Sequence, residues 1–220
     1  MLLRIMKIIN MKERPILFST PMVRAILDGR KTQTRRIIKC KKNIIDKQIG
    51  FTCFTPDGYF SVRGKHDDGK TCTYGESFFK LPYQKGMILW VRETWIDLQK
   101  TPVMGAGSEK YIGLKYWYRA DNTREMEVAG NYKPSIFMPK EASRIKLEIT
   151  NIRPEKLCDI TEEDAMAEGI SLPNYAEQAI KDIHYPDPSD IYAELWDEIN
   201  GIGSWIKNPW VWVIEFIRIR

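Results

Sequence analysis

The sequence has few of the residues that build metal centres and disulfide frameworks. Its 220 residues include only four cysteines and two histidines, and no two cysteines form a C-x-x-C pair. Widely spaced thiols of this kind favour reduced cysteines in a cytoplasmic protein over a disulfide scaffold or a zinc site. We therefore expect no metal and no other cofactor.

Long apolar runs are also absent. The first ten residues are mostly apolar, but Arg4 and Lys7 interrupt them and no small-residue cleavage site follows. A membrane-spanning helix needs about 20 apolar residues, so we expect neither a span nor a secretory signal. Met11 is an alternative start. The sequence has no P-loop, no G-x-G-x-x-G, no H-E-x-x-H and no G-x-S-x-G motif.

What the sequence does contain is a local concentration of positive charge. Residues 30–42 carry seven basic side chains and no acid, and without these seven the formal net charge of +5 would be −2. Residues 154–200 are the opposite, with thirteen acids and two lysines. A local basic segment suits a phosphate-bearing or polyanionic ligand, and it is also typical of an ordinary solvated face.

The pattern around the basic segment predicts a helix followed by a strand. Thr20 and Pro21 form a helix-start signal, and Gly29 is suited to the left-handed position that ends the helix. Residues 32–38 are compatible with a strand in which Thr34 and its alternate neighbours share one face.

The rest of the chain predicts strands separated by loops and short helices. We expect strands at 51–54, 59–62, 87–92, 144–153 and 210–219, a loop at 64–77, and helices at 159–169 and 191–199. Thr161 is the predicted cap of the first of these helices. Ile191, Leu195 and Ile199 are the predicted buried face of the second, with Trp196 as a further inward candidate.

These elements predict a mainly β protein with peripheral helices, in the α+β class, built around a small β-barrel. We expect an N-terminal extension at 1–14 and a single domain at 15–220. Residues 39–80 and 97–140 are predicted insertions into that domain.

Lys31 and Thr34 are the first candidates for chemistry. An odd separation places them on opposite faces of a regular strand, so they converge only if Lys31 lies in the turn after Gly29. A lysine crowded by arginines and partly desolvated becomes a usable base. The Thr34 hydroxyl would then be a nucleophile, with an acid such as Glu168 returning the proton to the leaving group.

The same residues also admit a plainer interpretation. In it the segment is an exposed basic turn in which Arg30, Arg35 and Arg36 contact phosphates. Thr34 is then an ordinary strand residue and Glu168 a solvated helix acid. The residues alone leave both interpretations open.

Aromatic side chains add candidates for stacking on a nucleobase. Trp90, Trp95 and Trp117 lie in or near predicted strands, and tryptophan rings stack well on bases. Tryptophans within apolar strands are more often part of a core, so this assignment has its own alternative.

The segment 29–36, Gly-Arg-Lys-Thr-Gln-Thr-Arg-Arg, resembles the G-x-K-x-x-E/T-x-R signature of the ASCH family. Domains of that family adopt a PUA-like β-barrel. The order of the later pieces is similar too: a Gly-led strand, an alternating strand, a Leu/Ile-Thr-Glu helix and a closing Trp-Val-Ile-Glu-Phe strand. The opening Pro-Met-Val-Arg-Ala-Ile-Leu resembles the long ASCH proteins carried by bacteriophages and prophages.

The resemblance implies that a cleft above the barrel binds RNA, a nucleoside or a modified base. One small bacterial branch is an amidohydrolase that deacetylates N4-acetylcytidine, using the signature lysine as base, the threonine as nucleophile and a helix glutamate as acid. These roles fall on Lys31, Thr34 and Glu168. The alternatives are a non-catalytic reader of nucleic acid or modified bases, and a phage accessory protein that acts through a protein partner.

Overall fold

The described part of the chain is mainly β, with a few short helices, as the sequence predicts. The computed structural model describes residues 12–38, 50–54, 59–67, 72–100, 113–121, 132–171 and 186–219. In the strands between residues 50 and 80 it describes the backbone.

The described residues form strands that belong to three sheets. In chain order they are β1 (Glu13–Leu17), β2 (Gln33–Ile37), β3 (Gly50–Phe54), β4 (Tyr59–Asp67), β5 (Cys72–Lys80), β6 (Ile88–Arg92), β7 (Trp95–Asp97), β8 (Tyr116–Tyr118), β9 (Lys146–Lys156) and β10 (Trp210–Ile219). The largest sheet has the order β1-β6-β9-β10-β2, the second is β3-β4-β5, and the third pairs β7 with β8.

The helices are few and short. They are α1 (Thr20–Leu27), α2 (Glu162–Ala167) and α3 (Pro188–Asn200), with 3-10 turns at Arg119–Asp121, Ser135–Phe137, Lys140–Ala142 and Leu157–Asp159. The predicted cap of α2 is confirmed, because the Thr161 hydroxyl accepts a hydrogen bond from the Asp164 N–H at 3.2 Å. The cap position of α1 is occupied by Ser19, one residue before the predicted Thr20.

The strand β10 lies inside the large sheet, as its apolar sequence predicts. It pairs with β9 on one side and β2 on the other, both antiparallel. Trp212 and Ile214 belong to the core shared with α1, β6 and β9. Val211 and Val213 pack on the other face against α2 and α3. The sheet is therefore covered by apolar contacts on both faces.

Closure of the large sheet into a barrel, which the sequence predicts, is not found among the described strands. The strands β1 and β2 are its two edges, and no described backbone ladder joins them. They are linked by a side chain, because Nη2 of Arg36 donates to the carbonyl oxygen of Leu17 at 2.7 Å.

Two other predictions differ from the structure. Residues 64–77, predicted as a loop, contribute to β4 and β5, which pair over nine residues. Pairing with a neighbouring strand evidently outweighs the Gly- and Asp-rich composition there, since strand preference depends strongly on context. The strand β1 begins within the predicted extension 1–14, of which residues 1–11 lie outside the described residues.

The region 97–140 was predicted as an insertion, and its described residues include β8 and two of the 3-10 turns.

No helix in the described part of the chain is long and apolar enough to cross a membrane.

Candidate functional site

The turn between α1 and β2 buries Lys31. Gly29 adopts a left-handed conformation with φ +77°, and the next two backbone N–H groups, of Arg30 and Lys31, both donate to the Ala25 carbonyl. The Lys31 side chain has no solvent exposure. Its Nζ donates to Oε2 of Glu168 at 2.6 Å and to the Glu168 carbonyl oxygen at 2.7 Å. Lys31 thus lies in the turn after Gly29, and its side chain points to Glu168.

The C-terminal end of α2 packs against this turn. A helix ends with carbonyl groups that have no partner inside the helix, and its negative dipole end favours cations. Here the Thr32 N–H donates to the Ala167 carbonyl at 2.8 Å. The Arg30 guanidinium donates to the Gly169 carbonyl at 3.0 Å. The basic segment therefore caps the acidic helix, which explains why these two oppositely charged stretches meet.

Gly169 permits the close approach of the two segments. Its φ is +94°, and a Cβ there would lie 2.8 Å from Cβ of Ala25 and 3.1 Å from Cβ of Lys31. Real Cβ contacts are longer than this, so any side chain at position 169 would push Glu168 and Lys31 apart.

Arg35 is the centre of a buried charge network. Its side chain has no solvent exposure, and Nη2 contacts the carboxylates of Glu155 and Asp164, both at 2.7 Å. Nη1 contacts Oε1 of Glu168 at 3.4 Å. Burial acts to lower the pKa of Arg35, but these carboxylates outweigh it and raise the pKa. A guanidinium engaged by three carboxylates does not fit the predicted contact with phosphate.

Asp164 is held in its ionised form by the same network. Burial acts to raise the pKa of Asp164, but the hydrogen bond and charge of Arg35 outweigh it, and Gln33 and Arg153 add to the lowering. Gln33 contributes a second bond, from Nε2 to the Asp164 carbonyl at 2.7 Å. Strand β2 and helix α2 are therefore joined by a neutral hydrogen bond from Gln33 and a charged one from Arg35, at alternate positions of the strand.

A cavity of about 250 Å³ opens beside the edge strand β2. Its walls come from α1, β2, the end of α2 and one side of α3, through Met22, Thr34, Arg35, Arg36, Ile37, Glu168, Tyr192, Leu195, Trp196, Ile199 and Asn200. Binding sites for drug-sized ligands span about 300–1,000 Å³, so this cavity suits a ligand of nucleobase size.

Two of the three predicted catalytic residues line the cavity. Thr34 is 3% exposed, and within the described part of the chain its hydroxyl makes no hydrogen bond. Glu168 is 4% exposed and reaches the same space. Lys31 does not line the cavity. It forms an ion pair with Glu168, which does.

The titration of Lys31 and Tyr192 reflects their burial. Burial lowers the pKa of Lys31, and the charges of Arg36 and Arg35 lower it further, while Glu168 acts in the opposite direction. Burial raises the pKa of Tyr192 well above its ordinary value, and the nearby Glu168 carboxylate adds to this. Both effects favour neutral side chains beside the cavity.

The other two predicted phosphate contacts lie in different places. Arg30 is outside the cavity, where its guanidinium pairs with Asp28 at 3.2 Å. Arg36 lines the cavity while its Nη2 is bonded to Leu17, and its Cζ lies 5.5 Å from the centre of the Phe18 ring. Of the three predicted arginines, Arg36 is the one that lines the cavity without an ion pair to a described carboxylate.

The local charges close to the cavity balance. Four cations and four carboxylates form the network that reaches the cavity, Lys31, Arg35, Arg36 and Arg153 against Glu155, Asp164, Glu168 and Glu215. Since a balanced cluster exerts little net attraction on an anion, the cavity is better suited to an uncharged group than to a phosphate. Among the described residues, no group of three or more His, Cys, Asp or Glu side chains is placed to hold a metal ion.

The three predicted stacking residues do not line the cavity. Trp90 is 7% and Trp95 4% exposed, and Trp117 is half-buried on β8. The aromatic residues that do line it are Tyr192 and Trp196. Their spacing of four on α3 was a usable signal, because residues four apart share a helix face.

The predicted inward face of α3 is found in part. Trp196, a predicted candidate, is buried together with Pro188 and Tyr192, and Ile191 and Leu195 are partly buried against the same cluster. Ile199, predicted to be inward, is 53% exposed.

Comparisons with models of protein families, with curated proteins and with solved structures give no match for this chain. The fold and the site therefore define its class: a mainly β protein with a small cavity at the edge of an open sheet, backed by a buried lysine–glutamate pair.

Proposed function

We propose that the protein binds an N-acylated nucleoside or nucleobase in the cavity beside β2 and hydrolyses its amide bond. One observation carries the proposal. The Thr34 hydroxyl, which has no hydrogen-bond partner among the described residues, shares a cavity with Glu168, whose carboxylate lies 2.6 Å from the buried amine of Lys31. A hydroxyl, a desolvated amine and a carboxyl group are the parts that nucleophilic acyl transfer requires.

The proton that such a reaction needs is present in the ion pair, on Nζ of Lys31. Moving one proton from Nζ of Lys31 to Oε2 of Glu168 converts ammonium and carboxylate into a neutral amine and a carboxylic acid. The number of protons does not change, and burial lowers the pKa of the Lys31 amine. The two groups thereby become base and acid together.

The acylation step then balances. The Lys31 amine takes the proton of the Thr34 hydroxyl, and the oxygen forms a bond to the amide carbon of the ligand. As the carbon–nitrogen bond breaks, Glu168 gives its proton to the leaving nitrogen. The acyl group remains as an ester on Thr34, while Lys31 is an ammonium and Glu168 a carboxylate.

Hydrolysis of this ester restores the site. The Glu168 carboxylate takes a proton from water, and the water oxygen forms a bond to the ester carbon. The Thr34 oxygen leaves with the proton of the Lys31 ammonium. The products are a free amine and a carboxylic acid.

A non-catalytic reader of a modified base is the second candidate. It is favoured by the position of Lys31, whose two described hydrogen bonds both go to Glu168 and which does not line the cavity. In this version Thr34 and Glu168 hydrogen-bond the base, and Tyr192 and Trp196 contact its ring.

The resemblance to ASCH domains supports the same assignment. Under it the five-stranded sheet corresponds to the strands of a PUA-like domain with insertions, and the protein is a cytoplasmic member of bacteriophage or prophage type. RNA, a nucleoside or a modified base is then the ligand, and an accessory role through a protein partner is the remaining alternative.

Turnover of N4-acetylcytidine, followed by chromatography of cytidine and acetate, tests the proposal. Thr34→Val keeps the shape of the side chain and removes the hydroxyl, so it should lower release by at least about a hundredfold. Thr34→Ser keeps the hydroxyl and should retain activity. Quenching of tryptophan fluorescence by the nucleoside, without turnover in any variant, would support the reader and refute the hydrolase.

A further inference from the structure

The cavity beside β2 differs between its floor and its opening. Five of its lining side chains are at most 4% exposed and form the floor: Thr34, Arg35, Glu168, Tyr192 and Trp196. The other six are half-buried or exposed, which places them nearer the opening: Met22, Arg36, Ile37, Leu195, Ile199 and Asn200. Four of these six are apolar. The polar groups of Thr34 and Glu168 therefore lie below an opening that is mainly apolar.

Two isoleucines are the exposed apolar side chains of this opening. Ile37 lies at the end of β2 and is 37% exposed, and Ile199 lies in the last turn of α3 and is 53% exposed. Neither is part of an apolar core cluster of the described residues. Single exposed apolar side chains need no explanation, but two that line the opening of one cavity form a surface that a ligand can cover.

The two polar side chains of the opening are engaged with the protein. Nη2 of Arg36 donates to the Leu17 carbonyl at 2.7 Å. Nδ2 of Asn200 donates to the Trp196 carbonyl at 3.0 Å. These bonds occupy polar atoms that would otherwise face a ligand, so the contact that the opening offers is chiefly with its apolar side chains.

The proposed function places the amide of the ligand at the floor, next to Thr34 and Glu168. The cavity is of nucleobase size, so a long acyl group on that amide extends through the opening. An alkyl chain there covers Ile37 and Ile199, and each methylene that is fully removed from water strengthens binding about fourfold. A polar substituent in the same place gains nothing from these side chains.

We propose that the opening of the cavity is an acyl-chain subsite, so that the protein selects ligands whose acyl group is longer than acetyl. Ile37 and Ile199 contact the outer part of the chain, and the half-buried Met22 and Leu195 continue the apolar surface toward the floor. The inference rests on the proposed function for the position of the amide. It concerns affinity, so it applies to a reader of acylated bases as well as to a hydrolase.

Binding of N4-acetyl-, N4-butyryl- and N4-hexanoylcytidine, followed by quenching of tryptophan fluorescence, tests this proposal. Every protein in the series carries Thr34→Val, so that turnover does not disturb the measurement. Each pair of added methylenes should lower the dissociation constant about fourfold or more, because a chain that stays half exposed keeps about half of the free energy of full burial. The added exchange Ile37→Ser/Ile199→Ser should shrink the gain from acetyl to hexanoyl at least about fourfold.

The matched control is Ile202→Ser/Ile206→Ser. It makes the same exchange at two isoleucines that are 98% and 84% exposed and do not line the cavity, so it should keep the full dependence on chain length. An equal loss in the control would overturn the proposal. So would a dissociation constant that stays constant or rises from acetyl to hexanoyl, and so would failure of all three nucleosides to bind. Circular dichroism confirms that each variant is folded.

Turnover by the wild-type protein separates this inference from the proposed function. Tighter binding of longer chains without release of cytidine would refute hydrolysis and leave the subsite in place. Release of cytidine with kcat/KM highest for the acetyl compound would uphold hydrolysis and overturn the subsite.

Discussion

Replacing Lys31 by methionine tests the central element of the site. Met keeps most of the aliphatic chain and removes the ammonium group, so Glu168 loses the contacts at 2.6 and 2.7 Å that Nζ makes with its carboxylate and carbonyl. The Glu168 side chain is 2% exposed, so water does not replace them. The carboxylate keeps the longer contact to Arg35, at 3.4 Å, and its interaction with the Tyr192 hydroxyl.

The expected cost follows from this arrangement. Removing one partner of a buried pair costs about 3–5 kcal/mol, and the remaining Arg35 contact places Lys31→Met toward the lower end, at about 3 kcal/mol. For a chain of this length each kcal/mol shifts Tm by about 2–4 °C, so we expect a fall of about 6–12 °C. The double variant Lys31→Met/Glu168→Gln should recover about 2 kcal/mol of that loss, since the uncompensated charge is then gone.

Urea denaturation followed by tryptophan fluorescence measures these free energies, and thermal melts measure the Tm values. The reasoning would be refuted if Lys31→Met cost less than about 1 kcal/mol, the value typical of exposed pairs. It would also fail if the losses of the two single variants simply added in the double variant.

Three further outcomes are expected. Gly169→Ala should destabilise the fold by about 2–4 kcal/mol, because its Cβ would meet Cβ of Ala25 at 2.8 Å in a strained backbone conformation. Arg144→Met should cost about 3–5 kcal/mol, because Glu93, 1% exposed, would lose its bidentate partner. The lowered pKa of Asp164 gives stability that is present above its unfolded value near pH 4 and is lost as the pH falls through the folded value. Asp164→Asn should therefore flatten the stability curve below about pH 4.

Each of these outcomes has its own control, measured by urea denaturation. Ala25→Gly should relieve the steric part of the Gly169→Ala loss, and no recovery in the double variant would contradict a clash. Adding Glu93→Gln to Arg144→Met should recover stability, whereas a larger loss would contradict the idea of an uncompensated carboxylate. Wild-type and Asp164→Asn curves that stay parallel below pH 4 would contradict the linkage argument.

The elements that sequence predicts best are those that carry their own signals. The start of α1 follows from Pro21 and its end from Gly29, and Thr161 identifies the start of α2. The strand β10 is apolar on both faces, and so its interior position was predictable. These signals are local, and each depends on a few neighbouring residues.

The arrangements that the sequence does not predict depend on contacts that are distant in sequence. Arg35 looks like a phosphate ligand when only the basic segment is considered. Its carboxylate partners are Glu155, Asp164 and Glu168, more than 100 residues further along the chain. Charge counting had separated a basic segment from an acidic one, but it could not show that the two neutralise each other in the fold.

The cavity was anticipated only in part. Thr34 and Glu168 line it, whereas its aromatic wall comes from Tyr192 and Trp196. The sequence pattern assigned Ile191, Leu195 and Ile199 to the buried face of α3, with Trp196 as a further candidate, and did not include Tyr192. Large aromatic rings and aliphatic side chains compete for one face of a short helix, and packing against β10 decides the choice.

The link between the two edge strands has a consequence for how the site can vary. A backbone ladder would hold β1 and β2 at the fixed spacing of about 4.8 Å that all strand pairs share. Here the link is one side chain, Arg36, which reaches Leu17 and lines the cavity at the same time. Because this side chain takes no part in the backbone ladders, we expect its exchange to change the opening of the cavity while the strand pairing is kept, so that ligand selection can vary separately from the fold.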